Sequence, residues 1–470
     1  GQWWFGHDGG VTFYDGKTYK LFDSKNGLTD EKVWDVMEDT EGNIWITTFG
    51  SGIFKYANGK FTNYNDKKGL SSNNVRSIFQ DSKGRIWIGT GAGLNLFNGS
   101  TFKIFTTKDG LASQRILGFY EDKKKTLWIG SSGGGLVKVI EENGNVVFKN
   151  YTEAEGLADN VVLCISEDNE GNIWTANFGG ISKVNPKTGE IKNISKKDGL
   201  ASNTVYALAF ADATHLLIGT NSGIDKLDIS EFNKTGKVAL THFGKDEGFS
   251  GVECNTNSVL RDDDGRIWFG TVKGAFIYDR AFDKVNEKKP ETFILNLRLF
   301  YEKFDFKAYS KDTNYIWLPS DLVMPYNQNH LTFDFIGLSY VIPKHVRYKY
   351  MLEGFDKNWL NPVKENFATY PKLPPGEYTF MVKACNDDGI WNSEPETYHF
   401  VITPPFWETW WFYLICVIVV AASVYTAILI RIRNLLSAKK ILEKQVKLRT
   451  HQLREEKILV EKQKVELEIT

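Results

Sequence analysis

A motif that recurs with a mean spacing of about 44 residues constrains the fold of the first 280 residues. It consists of an acidic turn with glycine, an Ile/Leu-Trp pair and a second turn ending in Gly and an apolar residue, and it is clear at 39–45, 81–87, 168–174 and 262–268. Degenerate copies place Trp4, Trp128 and Leu217 at the same phase. Four-stranded propeller blades have this repeat length. A single sheet of this kind buries both of its faces only when several such sheets stack around a common axis. The seven phased positions predict an all-β fold, a seven-bladed β-propeller over residues 1–289.

Each repeat is predicted to contain four short strands, which in one complete copy lie at 75–79, 86–89, 94–97 and 102–106. Asp-x-x-Gly before Ile-Trp suits a tight turn, since Asp accepts backbone N–H bonds and Gly tolerates a left-handed conformation. The copy around Leu217 reads Asp212-Ala213-Thr214-His215 and is therefore atypical. The first copy begins at its Trp strand, so either its first strand lies upstream or an outside strand closes the ring.

A second signature, Gly followed by Leu or Phe, precedes the repeats at 27–28, 69–70, 110–111, 156–157, 199–200 and 248–249. The two signatures together resemble the propeller repeats of bacterial two-component regulators, and residues 69–94 match that pattern along their whole length. The resemblance implies the extracytoplasmic, ligand-sensing part of a bacterial membrane receptor. For some members it implies an oligosaccharide ligand.

The acidic turns and the repeated tryptophans each admit a second interpretation. A calcium site would need several converging oxygen ligands, and Asp262-Asp263-Asp264-Gly265 lacks the later bidentate Glu of an EF-hand loop, which favours hairpin turns. The turns also resemble those of sialidases, but a sialidase needs a nucleophilic Tyr with acidic partners in one cleft. The tryptophans, at one phase of an apolar strand, are predicted to pack in the core, with a carbohydrate platform as the alternative.

Residues 290–403 are predicted to form an immunoglobulin-like β-sandwich. The period stops after Tyr278, and a charged segment leads to Pro290. Strand-like runs then occur at 293–300, 331–335, 348–352, 378–384 and 398–402, separated by Pro and Gly turns. The aromatic pattern over 348–392 is similar to the triple-tyrosine domain that follows such propellers. These aromatics are expected in the core, with a ligand role as the alternative.

Residues 404–430 are predicted to form a membrane-interface segment and one transmembrane helix. The 21 residues at 410–430 carry no charge and would span about 31 Å as a helix, which matches the hydrocarbon thickness. Aromatic residues crowd the start, and Arg431, Arg433, Lys439 and Lys440 follow the end. The positive-inside rule places the β domains outside the cytoplasm and the C-terminus inside it, with a single pass through the bacterial inner (plasma) membrane. A buried helix of a soluble protein is the alternative.

Residues 431–470 are predicted to form a cytoplasmic coiled-coil signalling helix and to support a homodimer. Positions 432, 439, 446, 453, 460 and 467 lie seven residues apart and carry Ile, Lys, Val, Leu, Val and Leu, and the companion positions 435, 442, 449, 456 and 463 carry Leu, Leu, Arg, Glu and Gln. This heptad seam is apolar near the membrane and mixed beyond it. A solvated single helix is the alternative. His451, in His-Gln-Leu-Arg, resembles the phosphoacceptor box of histidine kinases, but Glu455-Glu456 replaces the usual ending, which favours a solvent-facing histidine.

Composition limits the partners of this chain. Lys and Arg total 57 against 58 Asp and Glu, so the net charge of −1 supplies no field for nucleic acid. The four cysteines form no CxxC pair and are predicted to be buried apolar residues rather than zinc ligands or disulfides. We assign no catalytic residue, metal ligand or cofactor, and the ligand-binding residues stay unassigned.

The predicted partners are an extracellular or periplasmic ligand, the lipid bilayer and a second copy of the chain. The output domain beyond Thr470 is predicted to be a histidine kinase, as in a two-component (hybrid) system. A sporulation-type serine phosphatase or a nucleotide cyclase is the alternative. From another class, a membrane-anchored glycan-binding or glycan-degrading protein is also compatible with the sequence.

Overall fold

The computed structural model describes residues 2–29, 32–306, 318–320 and 322–467. The chain divides into two compact units, Gly1–Val285 and Asn286–Thr470. Residues 468–470 of the predicted signalling helix lie outside the described residues, as do Gly1, 30–31, 307–317 and 321.

The described part of the first unit contains seven antiparallel sheets, each formed by consecutive strands. The first three sheets are β1 (Trp3–His7), β2 (Gly10–Tyr14) and β3 (Tyr19–Phe22); β4 (Val33–Glu38), β5 (Ile44–Thr48), β6 (Ile53–Ala57) and β7 (Lys60–Tyr64); and β8 (Val75–Gln80), β9 (Ile86–Thr90), β10 (Gly93–Phe97) and β11 (Phe102–Phe105). The next two are β12 (Ile116–Glu121), β13 (Leu127–Ser131), β14 (Leu136–Glu142) and β15 (Asn145–Tyr151); and β16 (Val162–Glu167), β17 (Ile173–Asn177), β18 (Gly180–Val184) and β19 (Ile191–Ile194).

The sixth sheet has a short helix before its last strand, and the seventh has three strands. Their elements are β20 (Val205–Phe210), β21 (His215–Thr220), β22 (Gly223–Asp228), α1 (Ile229–Thr235) and β23 (Leu240–Phe243); and β24 (Cys254–Arg261), β25 (Ile267–Thr271) and β26 (Gly274–Tyr278). The four strands predicted at 75–106 are confirmed within one residue at each end, as β8–β11. Within the described residues the first sheet has no counterpart of β4, as the phase of Trp4 predicted, and the seventh sheet has no fourth strand, which was not predicted.

The first strands of successive sheets lie against one another, from β4 through β8, β12, β16 and β20 to β24. Each of these strands carries a register shift near its start, at Val33/Asp35 in β4 and at Val75/Ser77 in β8, for example. A bulge of this kind increases local twist and re-aims side chains. The rings of Trp3 in the first sheet and Trp268 in the seventh lie 4.7 Å apart, so the first and last sheets also meet. The result is a propeller-like set of sheets.

The Gly-Leu signature ends a short 3-10 turn between sheets. Gly69 follows the 3-10 helix Asp66–Lys68 with φ 95°, and its N–H donates to the carbonyl of Asp66. A residue with a Cβ is disfavoured in this left-handed conformation, which explains the glycine. The following side chain, Leu70 here, is buried, and so are its equivalents Leu28, Leu111, Leu157, Leu200 and Phe249. The signature therefore anchors each connection to the core of the next sheet.

The second unit contains two four-stranded sheets. In spatial order the first is β28 (Glu302–Lys303), β27 (Glu291–Leu299), β30 (Leu331–Leu338) and β32 (Phe367–Tyr370), and the second is β29 (Leu322–Pro325), β34 (Glu396–Thr403), β33 (Gly376–Cys385) and β31 (Arg347–Glu353). They share one core, in which the rings of Phe333 on β30 and Phe380 on β33 stack with centroids 4.2 Å apart. The five predicted strands are present with shifted ends, whereas β28, β29 and β32 were not predicted.

A continuous helix, α2 (Trp410–Leu467), completes the second unit. Among the described residues it is the one helix long and apolar enough to cross a membrane, with a mean hydropathy of 2.6 in its most apolar window. Cys164, Cys254 and Cys385 are buried as predicted, but Cys416 is exposed on α2, so that part of the cysteine prediction is wrong. Cys416 lies in the uncharged segment, where lipid or another helix rather than this chain would cover it.

Candidate functional site

The repeated turn aspartates hold their own hairpins. In the third sheet one oxygen of Asp81 accepts the backbone N–H groups of Lys83 and Arg85, at 3.0 and 2.9 Å. The other accepts the indole N–H of Trp87, at 2.8 Å. The same indole bond to the turn aspartate occurs at Trp45, Trp128, Trp174 and Trp268, with N–O distances of 2.8–3.0 Å. The carboxylates are thus engaged in hairpin turns, as the sequence favoured.

The tryptophans that bond to the turn aspartates are core residues in four of the sheets. Trp45, Trp87, Trp128 and Trp174 are at most 1% exposed. A basic side chain covers each ring within 5.6 Å of its centroid: Lys55, Arg85, Lys138 and Lys183. Core packing is therefore confirmed for these four residues, and their rings offer no platform for a sugar.

The atypical copy keeps the turn without the tryptophan. Asp212 accepts the backbone N–H groups of Thr214 and His215, and Nδ1 of His215 lies 3.0 Å from the same carboxylate. Burial alone would raise the pKa of Asp212, but these hydrogen bonds outweigh it and lower the pKa to about 2. His215 thus supplies a side-chain partner for the turn aspartate in this copy, where the indole is missing.

The conspicuous tyrosines of the second unit are tied down inside its core. Tyr348, Tyr370 and Tyr378 are all buried. The hydroxyl of Tyr370 donates to Asp356 at 2.8 Å, that of Tyr378 donates to the carbonyl of Pro374 at 2.7 Å, and that of Tyr348 accepts the N–H of Gly337 at 3.1 Å. Burial raises the pKa of Tyr370, and its hydrogen bond to Asp356 raises it further. Their role is packing, which is the first of the two interpretations.

A group of exposed or half-buried aromatic and basic side chains lies at one end of the first strands of three adjacent sheets. We call Trp34, Phe49, Arg76 and Arg115 the basic-aromatic cluster. Trp34 is the second residue of β4, Arg76 is the second residue of β8, and Arg115 directly precedes β12.

Two backbone hydrogen bonds show that Phe49 and Arg115 lie at the same end of their sheets. The N–H of Phe49 donates to Lys32, just before β4, and the N–H of Ser132 donates in the same way to Arg115. The cluster therefore occupies the end of the sheets where the first strands begin, and it lies within the first unit.

The cluster carries two positive charges, and one of them, on Arg76, is partly shielded from water. The guanidinium carbon of Arg76 lies 3.9 Å from the ring centroid of Trp34, and the rings of Trp34 and Phe49 are 6.2 Å apart. Trp34 and Phe49 are 44% and 43% exposed. Burial lowers the pKa of Arg76, and the positive charge of Arg115 lowers it further. In the part of the chain that the structure describes, neither arginine is in an ion pair.

The sequence analysis missed this cluster although the sequence carries a signal for it. The position after the first apolar residue of each first strand holds Trp34, Arg76, Leu117, Leu163 and Tyr206, whereas the apolar residue before it is Val or Ile in every one of these copies. Large aromatic and basic side chains at this position in two adjacent copies were the available signal. The bulges that bring these side chains to one end are not readable from the repeat.

His451 lies on α2 with its side chain 75% exposed and Nδ1 3.6 Å from Glu455, one turn along the helix. This is the solvent-facing position that the sequence favoured. Between residues 431 and 465 the side chains of α2 are exposed throughout. Among the described residues the heptad seam packs against nothing outside α2, and the coiled coil stays a prediction.

Comparison with known families matches both units. Residues 27–50, 69–92, 110–133, 156–179 and 250–273 match the two component regulator propeller, and residues 339–403 match the Y_Y_Y domain. The repeat that contains Leu217 is not among the matched segments, in keeping with its lost tryptophan.

Two known proteins illustrate the similarity. Histidine kinase P4 from Formosa agariphila is 24% identical over 227 residues, which are 47% of this chain and 16% of that protein. A crystal structure of an extracellular domain from B. thetaiotaomicron, assigned to the hybrid two component system BT3049, is 23% identical with a TM-score of 0.69. The matched region covers 86% of this chain and 54% of the chain in that crystal structure. The chain thus spans only part of these proteins, and the structural likeness shows the fold.

Proposed function

We propose, starting from the two component regulator propeller repeats and the Y_Y_Y domain that this chain carries, that it is the sensing and transmembrane part of a bacterial receptor. The propeller-like sheets bind a ligand outside the cytoplasm, an oligosaccharide in this proposal. Residues 410–430 cross the inner (plasma) membrane once, and the rest of α2 lies in the cytoplasm. Domain bounds of 1–289, 290–403, 404–430 and 431–470 belong to this proposal.

The observation that carries the proposal is the unbroken helix α2. Its 58 residues join an uncharged segment that is long enough for a bilayer to a charged segment with no internal break. At 1.5 Å per residue the helix is about 87 Å long, nearly three times the hydrocarbon thickness. A rigid rod of this kind can transmit a rotation or shift from one side of a membrane to the other.

Two finer features of the fold support this proposal. Seven sheets, with Trp3 of the first against Trp268 of the last, favour a seven-bladed ring. Two sheets around the Phe333–Phe380 stack favour an immunoglobulin-like sandwich.

Signalling in this proposal requires a dimer with two arrangements. A ligand shifts such an equilibrium only if it binds one arrangement more tightly than the other. The apolar part of the heptad seam, near the membrane, pairs the two copies of α2. The ligand then changes the spacing, rotation or register of the pair.

The output is a histidine kinase in this proposal, with a serine phosphatase or nucleotide cyclase as the alternative. Sequencing the gene beyond the codon of Thr470 separates these, and assays of the membrane-embedded gene product test them. We expect ATP-dependent labelling of a histidine that is stable to base and labile to acid. Release of phosphate from phosphoserine, or formation of a cyclic nucleotide, would replace the kinase assignment, and the absence of any output domain would contradict signalling.

A further inference from the structure

The basic-aromatic cluster contains an electrostatic arrangement that packing alone does not explain. Arg76 is half-buried, and desolvation disfavours its charged form. Arg115 directly precedes β12, which lies against β8, and its positive charge also disfavours the charged form of Arg76. Two neighbouring cations repel each other, and neither has a carboxylate partner among the described residues.

The stacking of Arg76 on Trp34 accounts for part of this arrangement. A guanidinium over an indole face is favourable by about 0.5–2 kcal/mol, depending on exposure. It explains the position of Arg76 but not the presence of Arg115, nor the exposure of the Trp34 and Phe49 rings. A bound oxyanion would satisfy both guanidinium groups, whose planar donor sets fit carboxylate and sulfate oxygens.

Arg76 and Arg115 differ from other basic residues of the sheets in their ion pairing. Arg85, for example, is placed over Trp87 in the same manner as Arg76 over Trp34, but it is paired with Asp81 and Glu141, each at 2.7 Å. Arg266 is likewise paired with Asp262 and Asp264. Arg85 and Arg266 therefore carry their own counter-ions, whereas Arg76 and Arg115 have none among the residues that the structure describes.

We propose that the basic-aromatic cluster binds an acidic saccharide, whose carboxylate or sulfate group lies between Arg76 and Arg115 while a sugar ring lies against Trp34 or Phe49. This inference rests on the proposed sensing function, because that function supplies the saccharide. It adds the charge of the ligand and the residues that contact it. The aromatic faces offer apolar surface on which a sugar ring can lie. The guanidinium pair provides selectivity for a negatively charged ligand.

The test uses the full chain in lipid nanodiscs and two pairs of tetrasaccharides. Tetragalacturonate carries carboxylates, and its fully methyl-esterified form is the neutral control. Sulfated neocarratetraose carries sulfate esters, and its desulfated form is the neutral control. Binding is measured by calorimetry at two salt concentrations.

We expect at least one acidic probe to bind, and its neutral control to bind about tenfold more weakly or not at all. The pair that binds identifies carboxylate or sulfate as the group recognised. Affinity for the acidic probe should fall as salt rises, because the contact is electrostatic.

Variants assign the binding to the cluster. Arg76→Ala and Arg115→Ala should each weaken the acidic probe about tenfold, and Trp34→Ala should weaken it several-fold. Arg76→Lys should give an intermediate loss, since it keeps the charge without the planar fork. Lys60→Ala, which removes one exposed cation from β7, is the matched control and should leave affinity unchanged. Far-UV circular dichroism checks that each variant is folded.

Three results would overturn the inference: neither acidic probe binds, acidic and neutral forms bind equally, or the Arg76→Ala/Arg115→Ala double variant binds as the parent does. These results can be distinguished from a failure of the proposed sensing function. Acidic binding that leaves output activity unchanged would contradict sensing while the site stands. A neutral saccharide that alone drives output would contradict the site while sensing stands.

Discussion

At the scale of single residues, the turn aspartate is the side chain on which each hairpin depends. Burial alone would raise the pKa of Asp81, but hydrogen bonds from Trp87 and Arg85 outweigh it and hold the pKa below its usual value. The folded protein therefore favours the carboxylate. Its contribution to stability is present above the unfolded pKa near 3.8 and is lost as pH falls below it.

Asp81→Ala should destabilise the first unit by about 2–4 kcal/mol, because the buried indole N–H of Trp87 and two backbone N–H groups lose their acceptor. Urea unfolding at pH 7, followed by tryptophan fluorescence, measures the loss. Glu190→Ala, which removes an exposed carboxylate paired with the exposed Lys192, is the control and should change little. A loss for Asp81→Ala no larger than that of the control would show that the turn does not need its aspartate.

Asp35 has the opposite behaviour. It lies at the bulge of β4, where its carboxylate accepts the N–H groups of Val36 and Ile78 at 2.9 and 3.1 Å. Desolvation raises the pKa of Asp35 to about 6, because these bonds do not offset burial. As pH rises above about 4 the unfolded chain loses this proton first, so stability declines between about pH 4 and pH 6.

Asp35→Asn should therefore stabilise the protein at pH 7 by up to about 3 kcal/mol and have little effect at pH 4. The amide oxygen can still accept the N–H of Ile78. Urea midpoints of the two proteins at both pH values test this. Asp15→Asn is the control, since backbone hydrogen bonds from Thr18 and Lys17 lower the pKa of Asp15, and it should give no gain at pH 7. A parallel pH dependence of Asp35→Asn and the parent would refute the assignment.

At the scale of elements, the Gly-Leu turn is a backbone requirement. A Cβ on Gly69 would meet nothing closer than Phe102, at 3.9 Å, so space does not exclude a side chain. Its φ of 95° does, because this conformation costs an L-residue about 1–2 kcal/mol. Gly69→Ala should lower stability by that amount in thermal unfolding. Gly91→Ala, where φ is ordinary and the nearest atom lies at 3.8 Å, should be neutral. Equal effects at both positions would show that conformation is not the reason.

The heptad seam of α2 gives a second test at this scale. Leu442→Asp or Val446→Asp would bury a charge in a paired helix and should abolish cross-linking between neighbouring copies in the membrane. Leu448→Asp, about 200° around the helix from Val446, is the matched control and should cross-link as the parent does. Cross-links that persist in Leu442→Asp would rule out pairing through this seam.

The sequence predicted elements well where a repeat or a hydropathy step marks them. The Asp-x-x-Gly-x-Ile-Trp motif located β8–β11 because turn, strand and buried indole are encoded within seven residues. It could not locate the basic-aromatic cluster, because bulges and contacts between sheets bring Trp34 and Arg76 together. The short strands β28, β29 and β32 were also missed, since their pairing partners, rather than local pattern, make them strands.

At the scale of the whole molecule, the proposed topology divides the chain between two compartments. In this proposal the sheets with the basic-aromatic cluster lie on one side of a bilayer, and the charged part of α2 lies on the other. The family matches and the uncharged segment of α2 support this arrangement independently. It is also the arrangement on which the proposed ligand and the proposed output both depend.

The most direct measurement is the labelling of single cysteines in intact cells. Lys60→Cys, on β7, and Lys462→Cys, near the end of α2, are introduced separately after the four native cysteines are replaced by serine. A membrane-impermeant maleimide is added to cells with a permeable outer envelope, before and after lysis. We predict that position 60 is labelled in intact cells and position 462 only after lysis. Equal labelling of both positions in intact cells, or of neither, would place the sheets and the helix in one compartment and contradict the receptor.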